Sequence, residues 1–214
     1  MRTVLVIQPV VMRAWEAGDG QELVRYLDRV KGPTTVVETV AITLGPASIE
    51  TFYDEALALP GILRAVEQHG ADCDAVVINC FADPGIVAVR QIVEVPVVGA
   101  AEASMALALQ LGHRFAVVST GESAGPWIEL QARAMGVESR LAGAVGIAIP
   151  VLGLGTDPDE TARALILAAN DLIETKGANV IVLGCTGMAP VAEVVRTALP
   201  VPVVEPMAAA LKTA

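Results

Sequence analysis

The 214-residue sequence has few aromatic side chains, few histidines and few cysteines. Aromatic residues make up only 3% of it, so the core must be built from Val, Ala, Leu and Ile, which suits parallel strands flanked by helices. The two histidines, His69 and His113, lie far apart, and no Cys/His spacing resembles a zinc site. We therefore expect no bound metal.

Clustered positive charge and long apolar stretches are also missing. The net charge is −10 and no cluster of Lys and Arg stands out, which argues against a nucleic-acid-binding groove. No apolar stretch is long enough to cross a bilayer, and the first residues lack the features of a signal peptide. These absences predict a cytoplasmic protein with no membrane or nucleic-acid partner, whose cysteines stay reduced.

What the sequence does contain is an alternation of Val/Ile-rich runs with helical segments, which predicts right-handed βαβ crossovers and an α/β fold with parallel sheets. Asp157 is predicted to cap one helix, with Pro158 at its first position. Strands are predicted at 3–8, 35–40, 75–80, 96–98, 114–119, 138–143, 180–184 and 202–204. Helices are predicted at 19–31, 50–69, 84–92, 102–111, 124–136, 157–176, 188–198 and 206–213.

The most informative feature is an internal repeat. GADCDAVVINC (Gly70–Cys80) resembles GANVIVLGC (Gly177–Cys185), and RTVLVIQP (Arg2–Pro9) resembles RFAVVSTG (Arg114–Gly121). The segments VPVVGAAEAS and VPVVEPMAAA follow the two cysteines at similar distances. Three matches in the same order predict a duplicated α/β unit with a boundary near Gly99.

The repeat places Cys80 and Cys185 at equivalent positions, each at the carboxyl end of a strand, which is the sheet edge where ligands bind. If the halves pack about a pseudo-twofold axis, the two thiols face each other across one cleft. Each is also followed by a predicted helix, whose N-terminus would lower the pKa of the thiol. A thiolate on one face of an acidic carbon and a thiol on the other would invert that carbon, which predicts a racemase without a metal or cofactor.

Neighbouring residues would bind the substrate. The backbone N–H groups of Phe81 and Thr186 are candidates to stabilise an enolate oxygen. Thr120 ends the opening strand of the second half, Gln8 is taken as its equivalent in the first, and both are predicted to hydrogen-bond the substrate. Ser119 and Gly187, adjacent to two of these residues, complete the predicted set.

Structural interpretations compete with these assignments. A single Cys at a strand end is more often a buried core residue than a catalyst. Cys73 has no counterpart in the repeat and is predicted to be structural, and Asp83 before Pro84 is interpreted first as a helix cap. A ligand-binding protein without catalytic activity would explain two lobes, although it would not explain two thiols at symmetric positions.

The chain resembles the aspartate/glutamate racemase superfamily and, within it, the hydantoin racemase branch that includes allantoin racemases. The matching segments are Gly45–Leu63, CFADPG (Cys80–Gly85), Pro96–Ser104, Leu111–Thr120, GCTGM (Gly184–Met188) and Val201–Lys212. The resemblance implies two pseudo-symmetric flavodoxin-like lobes, 1–98 with the helix 207–214 and 99–206, with the active site between them. It also implies that Cys80 and Cys185 act as acid and base on a 5-substituted hydantoin or related ureide, without cofactor. A homo-oligomer is expected.

Two departures from the family patterns bear on the substrate. Gly187 stands where glutamate racemases have a histidine, which argues against an amino-acid substrate. Gln8, Pro9 and Val10 stand where the hydantoin branch has an Asn-Pro-Asn-Thr motif. Related enzymes remain alternatives: a maleate isomerase, which also uses two cysteines, an amino-acid racemase, or a decarboxylase of the arylmalonate type, which keeps one cysteine.

Overall fold

The computed structural model describes residues 1–11, 19–121 and 124–214. They form two compact units, one of Met1–Ala100 with Met207–Ala214 and the other of Ala101–Pro206. Each unit contains one four-stranded, all-parallel sheet accompanied by helices. The predicted α/β class with parallel sheets is confirmed.

The first unit is built on a sheet with the strand order β2-β1-β3-β4. Its central strands are buried on both faces, which explains why they are continuous Val/Ile-rich runs instead of alternating patterns. Helix α2 packs on β1 and β2. The strands are β1 (Arg2–Val11), β2 (Thr35–Ile42), β3 (Ala75–Ile78) and β4 (Val97–Gly99), and the helices preceding β4 are α1 (Asp19–Val30), α2 (Phe52–His69) and α3 (Ile86–Val89).

The second unit repeats this arrangement with the strand order β6-β5-β7-β8. Helix α6 packs on β5 and β6, in the same way as α2 packs in the first unit. The strands are β5 (Phe115–Thr120), β6 (Leu141–Ile147), β7 (Val180–Leu183) and β8 (Val203–Val204). The remaining helices of the chain are α4 (Ala100–Leu111), α5 (Ala124–Ala134), α6 (Pro158–Lys176), α7 (Ala192–Ala198) and α8 (Pro206–Thr213). All but the first residue of α8 belongs to the first unit.

The two long helices begin at side-chain caps. Asp157 accepts a hydrogen bond from the backbone N–H of Glu160 at 2.9 Å, with Pro158 at the first helical position, so the predicted start of α6 is confirmed. Helix α2 begins at a capping box in which Thr51 and Asp54 bond reciprocally. These caps satisfy backbone donors that the first helical turn leaves unpaired.

The strand registers fix which residues of the two units are equivalent. Ile7 pairs with Ile78 in the first unit, and Val118 pairs with Leu183 in the second. Gln8 is therefore equivalent to Ser119, so the predicted equivalence of Gln8 and Thr120 is wrong by one residue. The error matters because a shift of one residue moves a strand side chain to the opposite face of the sheet.

The two helices predicted to follow the cysteines are shorter than expected. The helix predicted at 84–92 ends at Val89 and starts only at Ile86, because Asp83 and Gly85 before it have left-handed backbones, with φ of 51° and 71°. The helix predicted at 188–198 begins with a 3₁₀ segment, Thr186–Val191, before α7. Among the described residues, no helix is both long enough and apolar enough to cross a membrane.

Candidate active site

The cysteines lie at the sheet edge where parallel α/β proteins bind ligands. In each sheet the strand order reverses between the first and third strands of the unit, β1 and β3 or β5 and β7, and this topological switch point opens at the carboxyl ends of the strands. Cys80 follows β3 and Cys185 follows β7, so each thiol stands beside the switch point of its own sheet. Both are partly exposed, as a reactive thiol requires.

In the first unit a buried pair of amides lies next to Cys80. Asn79 Nδ2 donates a hydrogen bond of 2.8 Å to Gln8 Oε1. Gln8 is 3% exposed, and its Nε2 has no hydrogen-bond partner among the described residues. A buried amide donor normally has a partner, so this one is suited to a carbonyl oxygen or a water at the edge of the sheet.

The segment after Cys80 is a tight turn and not the start of a helix. The N–H of Asp83 donates to the carbonyl of Cys80 at 3.0 Å, and the N–H of Ile86 donates to the carbonyl of Asp83 at 3.2 Å. Gly85 is the residue at the N-cap of α3, so the interpretation of Asp83 as a helix cap is wrong. Since α3 has only four residues, the expected effect of a helix N-terminus on Cys80 is not supported.

In the second unit Cys185 precedes the 3₁₀ segment directly, and its carbonyl accepts the N–H of Met188 at 3.1 Å. Ser119, which is 7% exposed, donates its hydroxyl proton to the carbonyl of Gly184 at 2.8 Å. A Cβ added to Gly184 would lie 2.6 Å from Ser119 Cβ, so only glycine fits there. This close approach fixes the residue that precedes Cys185.

Among the other predicted site residues, Phe81, Thr186 and Gly187 follow the cysteine of their own unit in sequence, whereas Thr120 ends β5. Phe81 is buried at 4% exposure, while Thr120, Thr186 and Gly187 are half-buried. A Cβ added to Gly187 would lie 3.5 Å from Cys185 Sγ, so this glycine borders the sulfur. Gln8 and Phe81 thus belong to the first unit. The second unit contains the other four, which are Ser119, Thr120, Thr186 and Gly187.

Cys73 differs from the other two cysteines. It is buried, and its Sγ donates to the carbonyl of Gly70 at 3.3 Å. Burial raises the pKa of the Cys73 thiol, and weaker opposing contributions come from backbone hydrogen bonds. Across the part of the chain that the structure describes, no three His, Cys, Asp or Glu side chains are grouped to hold a metal ion.

Sequence comparison identifies relatives over most of the chain. The profile described as Asp/Glu/Hydantoin racemase matches residues 21–214. A hydantoin racemase of Rhizobium meliloti is 37% identical over 186 residues, which cover 86% of this chain and 77% of the relative. The profile match includes the segments that carry Cys80 and Cys185.

Structural comparison gives the same result. An allantoin racemase from Pseudomonas fluorescens superposes with a TM-score of 0.92 at 28% identity, covering 99% of this chain and 88% of the other. An allantoin racemase from Klebsiella pneumoniae superposes with a TM-score of 0.90 at 31% identity, covering 100% and 86%. The fold, the extent of the match and the identities agree: the chain belongs to the Asp/Glu/Hydantoin racemase family and is an isomerase of the racemase class.

Proposed function

We propose that this protein interconverts the enantiomers of a 5-substituted hydantoin or a related ureide, without a cofactor, by proton transfer between two thiols. One observation carries the proposal: Cys80 and Cys185 occupy equivalent positions beside the switch points of two units with the same strand order. The hydantoin and allantoin racemases among the relatives support the substrate class. These ring compounds share an acidic C–H next to a carbonyl.

The reaction follows from the chemistry of that carbon. The thiolate of one cysteine removes the proton, and the electron pair of the broken C–H bond moves to the neighbouring carbonyl, forming an enolate. The thiol of the other cysteine then delivers its proton to the opposite face, and the carbonyl forms again. After one turnover the two sulfurs have exchanged protonation states, so the enzyme is ready for the reverse reaction.

The enolate oxygen needs hydrogen-bond donors, since charge builds up there in the transition state. We assign this role to the backbone N–H groups of Phe81 and Thr186, and assign to Gln8 a hydrogen bond from Nε2 to a ring carbonyl. Gln8 Nε2 has no hydrogen-bond partner in the described part of the chain, which supports that assignment. No substrate contact is assigned to Thr120, because the strand register makes Ser119, and not Thr120, the equivalent of Gln8.

Ser119 and Gly187 have different roles in this proposal. The hydroxyl proton of Ser119 is already donated to Gly184, so Ser119 holds the cysteine segment in place and offers the substrate only an acceptor. Gly187 borders Cys185 Sγ, and any side chain there would also crowd Leu154, whose Cδ1 would lie 3.1 Å from an added Cβ.

Circular dichroism of enantiopure 5-substituted hydantoins and allantoin tests the function directly. We expect the signal to decay with the native protein on at least one of them, and free amino acids to be unchanged. Cys80→Ser and Cys185→Ser should each slow the decay by roughly 10²- to 10⁴-fold, the usual contribution of a positioned proton-transfer group. Cys73→Ser is the matched control, because serine keeps the hydrogen bond to Gly70, and it should retain the native rate. Undiminished racemisation in either site variant would rule out the two-thiol mechanism.

The assembly state and the compartment stay predictions. A homo-oligomer is expected, and light scattering on the purified protein would show whether its mass is a multiple of the chain mass. A cytoplasmic location is likewise expected, and fractionation of the source cells would test it.

A further inference from the structure

Each unit contains a buried carboxylate at the carboxyl edge of its sheet. Asp83 in the first unit is 8% exposed, and Glu205 in the second is 3% exposed. Burying an ionised carboxylate costs free energy unless its surroundings compensate. Two such residues, each near the cysteine of its own unit in the fold, call for a common explanation.

The two acids do not occupy equivalent positions in the sequence repeat. Asp83 is equivalent to Met188, because each stands three residues after its cysteine and donates its N–H to the cysteine carbonyl, at 3.0 and 3.1 Å. Glu205 is equivalent to Gly99. Both follow a Val-Val pair on the last strand of the sheet, in the same register against the central strand.

Side-chain atoms of the two acids nevertheless occupy equivalent space at the end of the fourth strand. A Cβ added to Gly99 would lie 2.4 Å from Asp83 Cγ and 2.4 Å from Oδ2. The Asp83 carboxylate therefore fills the space where a side chain at residue 99 would begin. In the second unit the side chain of Glu205 begins at that point, and the residue equivalent to Asp83 is the fully buried, apolar Met188.

We propose that Asp83 and Glu205 are equivalent positioning residues, each placing a carboxylate at the end of the fourth strand to hold the segment that bears the thiol of its own unit. The first unit supplies this group from the turn after Cys80, and the second supplies it from the strand itself. This inference rests on the proposed function, because it assumes that both thiols are the working groups. Neither acid needs to touch the substrate.

The backbone of Asp83 supports a positioning role. Its φ of 51° is in the left-handed region, which costs a residue other than glycine roughly 1–2 kcal/mol. The same residue closes the turn through its N–H to Cys80 and its carbonyl to Ile86. A carboxylate fixed against Gly99 keeps this strained turn in one conformation and so fixes the direction of Cys80.

Residue-resolved alkylation tests the inference without any substrate. Asp83→Asn and Glu205→Gln remove one charge each with little change of shape. The iodoacetamide reaction of Cys80 and Cys185 is followed separately by mass spectrometry across pH 6 to 9. A nearby negative charge disfavours a thiolate, so Asp83→Asn should speed alkylation of Cys80 at pH 7 by roughly three- to tenfold and leave Cys185 unchanged. Glu205→Gln should do the reverse. If both thiols respond alike, or neither responds, the inference is overturned.

A relocation variant tests the shared position itself. Asp83→Gly combined with Gly99→Glu moves the carboxylate of the first unit to the place that it has in the second, and glycine tolerates the backbone at residue 83. The double variant should recover the native pH profile of Cys80 alkylation more closely than either single variant. A double variant no better than the worse single variant would show that the two positions do not serve one role.

The two proposals fail in different ways. Loss of the proposed function would appear as native protein that racemises no hydantoin or ureide, even though each thiol still responds to the acid of its own unit. Loss of the positioning inference would appear as native racemisation with thiols that ignore both acids.

Discussion

The two units share strand order, register and thiol position, yet they secure the sheet edge beside each thiol with different chemistry. The first unit joins two long side chains, Gln8 and Asn79, through an amide hydrogen bond. The second unit joins a short hydroxyl, Ser119, to the backbone of Gly184 by a close approach of the two strands. The two units therefore share the same main-chain arrangement but differ in the polar side chains at this edge of the sheet.

The difference also predicts where each unit tolerates change. At the position before the cysteine, the first unit already carries a side chain, Asn79, whereas the second has room for none at Gly184. Beneath this edge the central strands are fully buried in both units. We expect equal sensitivity in the cores and unequal sensitivity at the edges.

The largest effect is expected in the cores, at the equivalent residues Ile78 and Leu183, both 0% exposed. Ile78→Ala and Leu183→Ala should each lower the free energy of unfolding by roughly 2–5 kcal/mol, since each leaves a cavity in a close-packed sheet. Native-state hydrogen exchange measured by mass spectrometry would show lost protection in the unit that carries the change. Leu167→Ala, at a side chain 75% exposed, is the control. If only one of the two core variants lost stability, the two sheets would not be equivalent.

A smaller effect is expected at the edge of the second unit. Gly184→Ala should lower the free energy of unfolding by about 1–3 kcal/mol, because the new methyl group overlaps Ser119 and forces the strands apart. Thermal unfolding is the measurement. Gly155→Ala, where an added Cβ meets no atom within 4 Å, is the matched control. Equal melting temperatures for the two variants would contradict the close approach.

The smallest effect is expected at the helix caps that the units also build differently. Thr51→Ala removes the hydroxyl half of a capping box in the first unit and leaves the N–H of residue 51 bonded to Asp54, whereas Asp157→Ala removes a one-sided cap in the second. Each should cost about 1 kcal/mol of unfolding free energy in urea denaturation, with the larger loss at Thr51 because its hydroxyl also donates to Asp54 Oδ2 at 2.7 Å. Thr156→Ala changes a residue next to the Asp157 cap but outside it, and it should leave the free energy of unfolding unchanged.

Much of the fold was predictable from the sequence because its signals are local. Continuous Val/Ile runs such as 75–78 and 180–183 mark buried parallel strands, and an Asp-Pro pair at 157 and 158 marks a helix start. The repeat pointed to Cys80 and Cys185 because equivalent positions in a duplicated fold are visible without coordinates. Family membership followed from the same segments.

The remainder depended on non-local packing. The register of Arg2–Val11 against its neighbours could not be deduced from similar Val-rich runs, so Gln8 was matched to the wrong residue. The length of the helix after Cys80 depended on the backbone of Asp83, which Gly99 accommodates from another strand. Glu205 was missed because an acid before a proline usually signals an exposed cap, and only the structure shows it buried.

The division of the chain into units constrains the order in which they can fold during biosynthesis. The second unit is continuous in sequence, but the first includes Met207–Ala214, which are translated after every residue of the second. The first unit therefore cannot acquire its last helix until every residue of the second has been synthesised. Synthesis order alone prevents the first unit from maturing ahead of the second, although its strands emerge first.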